Sequence, residues 1–275
     1  IGSHGQTVYH NVADKNNIST LQITSGSFIA EETGITTVFN FRMRDLAVAG
    51  EGAPLVPYID YMLYRDKGKN RILQNIGGIS NYSYLPASCS LDEVRGSDNG
   101  PGNMTIDYAV NILTKGKLSY DKDGKLAEKG SVSQKLLDEM MGHPFIKKEV
   151  PKSSGRIDFG QEYAKSIIAK GKEMDLSDFD IITTITAFTA LAIVDSYQRF
   201  IGQKIDEVIV GGGGSYNPQL MEMIKYYISK KYEKEIDVLT QEDLGYSSEA
   251  KEAIACAVLA SEPVNGRAHH LPDAT

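Results

Sequence analysis

Three glycine-rich segments carry the residue types that could do chemistry in this 275-residue chain. They are N-I-G-G-I-S-N at Asn75–Asn81, S-D-N-G-P-G-N at Ser97–Asn103 and V-I-V-G-G-G-G-S-Y-N-P at Val208–Pro218. Glycine adopts positive φ and lets the backbone approach a ligand closely, and successive backbone N–H groups in such turns form concavities that hold anions. Together they indicate a nucleotide and a phosphoryl transfer, and the carboxylate of Asp98, in the middle of the second turn, indicates a general base.

The tetraglycine segment follows a short apolar strand, Glu207–Val210, and precedes a helix predicted over Pro218–Ile228. Ligands of α/β folds bind at the carboxyl ends of strands and at helix N-termini, and the glycines would let a flat base or sugar lie against the backbone. The alternative is a plain tight connection. A dinucleotide loop of the G-x-G-x-x-G type is not indicated, since no suitable acidic residue follows a second strand. The residues expected against the cofactor here are Gly211, Gly212, Gly213 and Asn217.

The other two segments each leave two interpretations open. Gly77 and Gly78 fit either phosphate contact or a hairpin turn, and the flanking Asn75 and Asn81 suit both. Asp98 can accept a proton from a nucleophile or orient the water of a metal ion. Alternatively, it is an Asx-turn aspartate that only stabilises its loop.

Further polar residues are candidates for contact with a sugar. His4 and Gln6 lie in S-H-G-Q-T, which suits sugar hydroxyls, although a lone histidine is more often structural. Arg42 belongs to a charged cluster after a strand, and P-K-S-S-G-R at Pro151–Arg156 is a basic segment. Each of the last two is either a ligand contact or a solvated loop.

The composition describes a soluble globular protein, with 41% hydrophobic and 24% charged residues. The net charge of −7 argues against a nucleic-acid partner, because such binding depends on neutralising phosphates. Two cysteines, Cys89 and Cys256, form neither a disulfide framework nor a metal-binding pair. No stretch approaches the roughly 18–20 apolar residues of a membrane span, and no signal peptide is recognisable. We therefore expect a cytoplasmic protein without a membrane partner.

Strand and helix patterns alternate from Asn70 onward, which predicts an α/β fold with parallel strand pairs. A strand over Asn70–Ile76 is expected to form a hairpin with Tyr82–Leu85. Long helical spacing begins at Asp175 or Ser177. The polar stretch Arg65–Asn70 is the best candidate hinge.

Taken together, the motifs resemble the anhydro-N-acetylmuramic acid kinase family. The resemblance is carried, in the order of the family and over the whole chain, by I-G-S-H-G-Q-T-V, F-R-M-R-D-L-A-V-A-G-E-G-A-P-L-V-P, N-I-G-G-I-S-N, D-N-G-P-G-N, P-K-S-S-G-R and G-G-G-G-S-Y-N-P-Q-L-M. It implies the fold of the actin, Hsp70 and sugar kinase superfamily, with two ribonuclease-H-like domains and ATP in the cleft between them.

The resemblance also implies a reaction. The family phosphorylates 1,6-anhydro-N-acetylmuramic acid with ATP and opens the anhydro bridge with water, giving N-acetylmuramic acid 6-phosphate in cell-wall recycling. The catalytic aspartate of the family lies in D-T-G-P-G-N and maps onto Asp98, with Asn99 where threonine is usual. ATP and Mg²⁺ are the implied cofactors, with no metal ligand assigned, and a homodimer is the implied assembly. The implied sugar-binding residues are His4, Gln6, Glu31, Arg42 and Glu252.

Two departures from the family pattern concern the ends of the chain. The family begins with a G-x-M-S-G-T-S-x-D-G-x-D phosphate loop, whereas this sequence opens at the later G-S-H-G-Q-T motif without a methionine. We therefore expect further sequence before Ile1 in the native protein and little activity from residues 1–275 alone. Near the C-terminus, E-A-K-E-A at 249–253 matches the acidic D-A-x-E-A helix of the family, except that Glu249 replaces the aspartate. The match indicates Glu252 as a site carboxylate.

The implied division of the chain is a remnant of the sugar-side domain over 1–69, a nucleotide-side domain over 70–252, and a helix and tail over 253–275 that return to the first domain. Two alternatives stand beside the leading hypothesis. One is a non-catalytic sugar-binding fragment, and the other is a kinase of the same superfamily that acts on another sugar.

Overall fold

The N-terminal part of the protein forms two small sheets and three helices. The computed structural model describes residues 1–11, 18–48, 52, 55–202, 204–248 and 250–267. β1 pairs in parallel with β4, and β2 pairs antiparallel with β3. A helix, α2, occupies part of the segment after Phe41 that the sequence had indicated as a loop. The elements are β1 (Gly2–Ser3), β2 (Gln6–Asn11), β3 (Ser19–Ile23), α1 (Gly26–Thr33), β4 (Val38–Phe39), α2 (Phe41–Leu46) and α3 (Val56–Tyr64).

A mixed five-stranded sheet follows, in the order β7-β6-β5-β8-β9. The predicted hairpin is confirmed, since β5 and β6 pair antiparallel, and β7 pairs antiparallel with β6. The predicted parallel pairs are also present, because β8 runs parallel to β5 and β9 runs parallel to β8. The strands are β5 (Arg71–Ile76), β6 (Ile79–Leu85), β7 (Arg95–Pro101), β8 (Glu207–Gly211) and β9 (Asp237–Thr240).

Eight helices within the described residues complete the fold. Ser177 caps α9 as predicted, and its Oγ accepts a hydrogen bond from the Asp180 N–H. Ser133 caps α5, its side chain accepting a hydrogen bond from the Leu136 N–H. The helices are α4 (Met104–Leu113), α5 (Gln134–Met141), α6 (Pro144–Lys147), α7 (Arg156–Phe159), α8 (Gln161–Glu173), α9 (Asp178–Phe200), α10 (Pro218–Lys231) and α11 (Lys251–Val264).

The alternation of side chains along β5 gives the sheet two different faces. Ile72 and Ile76 pack with α9 and α10 in one large apolar cluster. Leu73, on the other face, packs with Tyr64 at the end of α3. Asn75 shares the face of Leu73 but lies two residues nearer the hairpin, so the α3 face ends in a polar side chain.

The longest helix, α9, is a core element. It is long and apolar enough to cross a membrane by length and composition, contrary to the sequence expectation, but 78% of its apolar window is buried inside the protein. Its buried residues include Ile185 and Phe188, which pack in a second cluster with α4, α5 and α8. Burial of each such side chain stabilises the fold by roughly 1.5–3 kcal/mol.

The last described helix, α11, joins the N-terminal elements to the large sheet. It packs on β1 so closely that a Cβ at Gly2 would lie 2.0 Å from the Cys256 carbonyl oxygen. Lys251 Nζ lies 3.0 Å from Asp60 Oδ1 of α3, and Ser83 Oγ of β6 donates to Asp60 Oδ2 at 2.7 Å. These contacts tie α11, α3 and β6 together. The domain boundaries expected from the sequence stay a prediction, and residues 268–275 lie outside the described part.

Candidate functional site

Four of the predicted site residues form one row across the large sheet. The register pairs Asp98 of β7 with Asn81 of β6, Asn81 with Asn75 of β5, and Asn75 with Gly211 of β8. Residues that are paired across neighbouring strands present their side chains on the same face. All three glycine-rich segments therefore meet at one end of the sheet, as the sequence hypothesis requires.

The sequence predicted Asp98 in the middle of a turn, and this prediction is wrong, because Asp98 lies within β7. The pairing skips Asn99 between Asp98 and Gly100, which marks a β-bulge in β7 next to Asp98. Its neighbour Asn99 faces the opposite side of the sheet and is 1% exposed. There Asn99 Oδ1 accepts a hydrogen bond from Gln74 Nε2 at 2.9 Å. The asparagine that departs from the family motif thus packs in the core and leaves the Asp98 carboxylate on the face of Asn81 and Asn75.

The segment P-K-S-S-G-R runs beside β7 and holds Asp98. The Asp98 N–H donates to the Lys152 carbonyl at 3.0 Å, and the Lys152 N–H donates to Ser97 Oγ at 3.0 Å. Asp98 Oδ2 accepts from the Ser154 N–H at 2.8 Å, 56 residues further along the chain. Burial raises the pKa of Asp98, and hydrogen bonds from Ser154 and Ser153 partly offset that effect. The bond to a distant segment and the raised pKa fit a proton acceptor better than an Asx-turn residue.

The Gly77–Gly78 pair forms the two-residue turn between β5 and β6, so the hairpin interpretation is correct. The carbonyl of Gly77 accepts from the Asn103 N–H at 2.7 Å. The carbonyl of Gly78 accepts from the Gly102 and Met104 N–H groups at 3.0 and 3.1 Å. These bonds satisfy the first donors of α4, which have no partner inside the helix. The tip of the hairpin is therefore fixed against the start of α4.

Most of the tetraglycine segment is packed against the protein rather than open to a ligand. Gly212 has φ 82°, and a Cβ there would lie 2.6 Å from Asn75 Oδ1. A Cβ at Gly211 would lie 2.6 Å from Gln241 Cδ, and one at Gly214 would lie 2.3 Å from Ile76 Cγ2. A side chain therefore has no room at Gly211 or Gly212, and contact of these two glycines with the cofactor stays a prediction. At Gly213 the nearest such atom is 3.5 Å away, so only this glycine leaves room.

A cavity of about 350 Å³ opens beside Gly213 and beside the N-termini of α4 and α10. Asn217, predicted at this site, lies in its wall and also caps α10, accepting from the Leu220 N–H at 3.2 Å. Helix N-termini attract negative charge. The cavity is lined by Gly213, Asn217, Asn103, Asp107, Lys122 and Tyr216, among others.

Asp107 is a residue of this cavity that the sequence reasoning missed. Burial, and secondarily the charge of Asp121, raise the pKa of Asp107 to about 6. Asp121 is fixed nearby because its carboxylate accepts from the Leu126 and Ala127 N–H groups at 2.8 and 3.0 Å. An aspartate in the first turn of a helix is common, so its position in the sequence gave no signal of a site.

His4 and Arg42, both predicted sugar contacts, are directly bonded. Arg42 Nε donates to His4 Nε2 at 2.9 Å, and Arg42 Nη1 donates to the Gly52 carbonyl at 2.7 Å. The Gly52 N–H in turn donates to Asp45 Oδ2 at 2.7 Å. Burial lowers the pKa of Arg42. The guanidinium is thus oriented by His4 on one side and by the Gly52 carbonyl on the other.

The other three predicted sugar contacts are only loosely connected with this pair. Glu252 is exposed in the first turn of α11, and its charge acts on the thiol of Cys256, to which the His4 backbone is also bonded. Gln6 is exposed and donates to the Thr7 carbonyl at 3.2 Å. Glu31 is exposed on α1, and within the described ranges no hydrogen bond or ion pair joins it to His4 or Arg42. Glu249 of the same motif lies outside the described residues.

The searched part of the chain holds no group of three or more His, Cys, Asp or Glu side chains suited to a metal ion. Mg²⁺ usually takes one or two carboxylates together with substrate phosphates, and it requires hard oxygen ligands. The side-chain oxygens of Asn81 and Asn75 offer such donors in one row. The residues present therefore fit a magnesium ion that is held mainly by the nucleotide.

Known proteins are similar to this chain in sequence. A family model described as anhydro-N-acetylmuramic acid kinase matches residues 1–275. The chain is 46% identical over 282 residues to the anhydro-N-acetylmuramic acid kinase of Caldanaerobacter subterraneus subsp. tengcongensis, covering 100% of this chain and 70% of the relative. It is 47% identical over 279 residues to a protein of the same name from Bacillus cereus, covering 100% and 71%. Among solved structures it is similar to the activator of the 2-hydroxyisocaproyl-CoA dehydratase from Clostridium difficile with bound ADPNP, with a TM-score of 0.48, 14% identity and coverage of 90% and 86%.

Proposed function

Since the chain belongs to the anhydro-N-acetylmuramic acid kinase family and is a sugar kinase, we propose that it uses ATP to phosphorylate 1,6-anhydro-N-acetylmuramic acid. Water opens the anhydro bridge in the same reaction, and the product is N-acetylmuramic acid 6-phosphate. This reaction would serve the cytoplasmic recycling of cell-wall sugar. The observation that carries the proposal is the row of Asp98, Asn81 and Asn75 beside Gly211, next to a cavity large enough for a nucleoside.

The adenosine of ATP occupies the cavity beside Gly213. Gly213 leaves the backbone open there, and Tyr216 and Asn217 supply an aromatic ring and an amide in its wall. Asn103 lines the same cavity while its N–H is bonded to the Gly77 carbonyl. This continuity supports a path for the triphosphate from the cavity, past Asn103, to the hairpin of Gly77 and Gly78.

The γ-phosphate then lies near the row of polar side chains. Asn75 and Asn81 provide amide groups for phosphate oxygens, and Asn81 is paired with Asp98. Magnesium, when bound, neutralises charge on the phosphate oxygens, and the oxygen donors of this row suit it. Phosphoryl transfer depends mainly on positioning and charge stabilisation, which matches a row fixed by sheet register.

Asp98 is the general base in this proposal. Its carboxylate takes a proton from water as the water oxygen bonds to the anomeric carbon of the sugar. The bond from that carbon to the bridging oxygen breaks, the bridging oxygen bonds to the γ-phosphorus, and ADP leaves with the electron pair of the broken phosphoanhydride bond. Burial raises the pKa of Asp98 toward the working pH, as a base requires.

The sugar is held from the N-terminal side. Arg42, oriented by His4 and Gly52, pairs with the lactyl carboxylate of the substrate, because a guanidinium fork matches carboxylate oxygens. Gln6, Glu31 and Glu252 remain proposed contacts for the sugar hydroxyl groups. Their exposure in the structure is consistent with residues that face a ligand.

The test is Asp98→Asn in the intact native protein, compared with Asp92→Asn as a control. Asp92 is an exposed carboxylate shortly before β7 and lies outside the site. We expect Asp98→Asn to lower kcat with anhydromuramic acid and ATP by at least ~100-fold, as loss of a general base does. Binding of the sugar, measured by calorimetry, should persist. Near-normal turnover of Asp98→Asn would exclude the assigned role.

A further inference from the structure

We propose that Lys152 is a positioning residue for the reaction, whose ammonium group fastens residues 150–156 so that this segment keeps the Asp98 carboxylate in place. The inference rests on the proposed function, because it takes Asp98 as the general base. Lys152 itself does not act on the substrate.

The Lys152 side chain is buried and bonded to backbone. It is 9% exposed, and its Nζ donates to the Phe145 and Ile146 carbonyls at 3.1 and 3.2 Å. Nζ also lies 4.6 Å from the ring centre of Phe145 and 5.4 Å from that of Phe200. Carbonyl and ring contacts stabilise a cation that has lost much of its water. The ammonium therefore anchors the segment to α6 and to the end of α9.

The backbone of the same residue reaches the site. Lys152 pairs through its N–H with Ser97 Oγ and through its carbonyl with the Asp98 N–H, both at 3.0 Å. Two residues later, the Ser154 N–H donates to Asp98 Oδ2 at 2.8 Å. A shift of Lys152 would therefore displace a donor that favours the charged form of Asp98. Within the described residues no carboxylate lies in ion-pair distance of Lys152 Nζ. The segment therefore supplies the hydrogen bonds to Asp98, and the charge of Lys152 adds an attraction that acts over a longer distance.

The charge of this anchor depends on pH. Burial and the neighbouring Arg199 lower the pKa of Lys152 to about 8, and the carboxylates of Asp195, Glu149 and Asp98 oppose that shift. Lys148 also faces the Phe145 ring, at 5.6 Å. Because the pKa in the folded protein lies below the ordinary lysine value, the ammonium is present below about pH 8 and is lost above it. The hold on residues 150–156 should therefore weaken in the alkaline range.

The first test compares Lys152→Met and Lys152→Arg, with Lys165→Met as a control at an exposed lysine of α8. We expect Lys152→Met to lower kcat by about 10- to 100-fold, because small displacements of catalytic groups have such effects. KM for ATP should stay the same, and the acid limb of kcat/KM should move to higher pH, because Asp98 loses a hydrogen bond to its charged form. Lys152→Arg should restore both. A folded Lys152→Met variant with the acid limb of the wild type would overturn the inference.

A second readout does not need turnover. The carboxyl carbon of Asp98, observed by NMR in ¹³C-labelled protein, should titrate at higher pH in Lys152→Met than in the wild type. If Asp98→Asn proves fully active while this titration still moves, the assignment of Asp98 as general base fails, and Lys152 holds a carboxylate that the reaction does not use. An unchanged titration would refute the positioning role. If Lys152→Met does not fold, the test is the pH profile of Lys152→Arg. Because its cation is permanent, its kcat/KM should stay high above pH 8, and a pH profile that coincides with that of the wild type would refute the proposal.

Discussion

Asp107→Asn should make the protein more stable at neutral pH. The Asp107 carboxylate lies in the wall of the cavity beside Gly213, partly buried and close to the fixed carboxylate of Asp121. Both the burial and the neighbouring charge disfavour its ionised form. An amide of nearly the same shape removes the charge and keeps the packing.

The magnitude follows from the pKa. Folding raises the pKa of Asp107 from 3.8 to about 6, and a shift of roughly two units corresponds to about 3 kcal/mol at full effect. Because the side chain keeps contact with solvent in the cavity, screening reduces this to about 1 kcal/mol. Because the pKa of Asp107 is higher in the folded protein than in the unfolded chain, ionisation of this carboxyl destabilises the fold. Below about pH 4 the carboxyl is protonated and costs nothing, and the free energy of unfolding then falls as pH rises through about 6.

The assay is urea denaturation of the wild type and Asp107→Asn between pH 4 and pH 8. We expect equal free energies of unfolding near pH 4 and a gain of about 1 kcal/mol for Asp107→Asn at pH 7, or about 2 °C in Tm. Asp123→Asn is the matched control, since Asp123 lines the same cavity but is exposed. The reasoning is refuted if Asp107→Asn is less stable than the wild type at pH 7, or if its gain persists unchanged at pH 4.

Three further predictions follow from packing and hydrogen bonding. Gly212→Ala should destabilise the fold, because φ is 82° there and an added Cβ meets Asn75. Gly213→Ala should leave Tm unchanged and weaken ATP binding, and an equal Tm for the two variants would contradict this prediction. Arg42→Ala should raise KM for anhydromuramic acid far more than for an analogue without the lactyl group, and equal losses would exclude Arg42 as the carboxylate partner. Lys251→Met should lower the free energy of unfolding by about 3–5 kcal/mol, because the buried Asp60 carboxylate loses its cation. In urea denaturation, the double variant with Asp60→Asn should recover part of that loss.

The sequence identified the segments of the site but not their local structure. The hairpin over β5 and β6, the strand before the tetraglycine segment and the cap at Ser177 follow from local rules of alternation, β-branching and capping. The same rules indicated a turn around Asp98, because Asn-Gly-Pro-Gly is typical of turns. Pairing with β6 and with Lys152 overrides that preference and extends the strand through Pro101. Local propensity is weak beside several inter-strand hydrogen bonds.

What the sequence by itself determined about this protein is its family, its mixed α/β character and the identity of Asp98, Asn75 and Asn81 as polar residues among glycines. Those features are written in motifs and periodicities that need no neighbours. Only the tertiary structure decided that sheet register aligns the three asparagine and aspartate side chains, and that Gly212 is reserved for packing while Gly213 is open. It also decided that Asp107 and Lys152 belong to the surroundings of the site. The physical reason is that register, close approach and burial arise between segments far apart in the chain, and burial is what shifts the pKa of both residues.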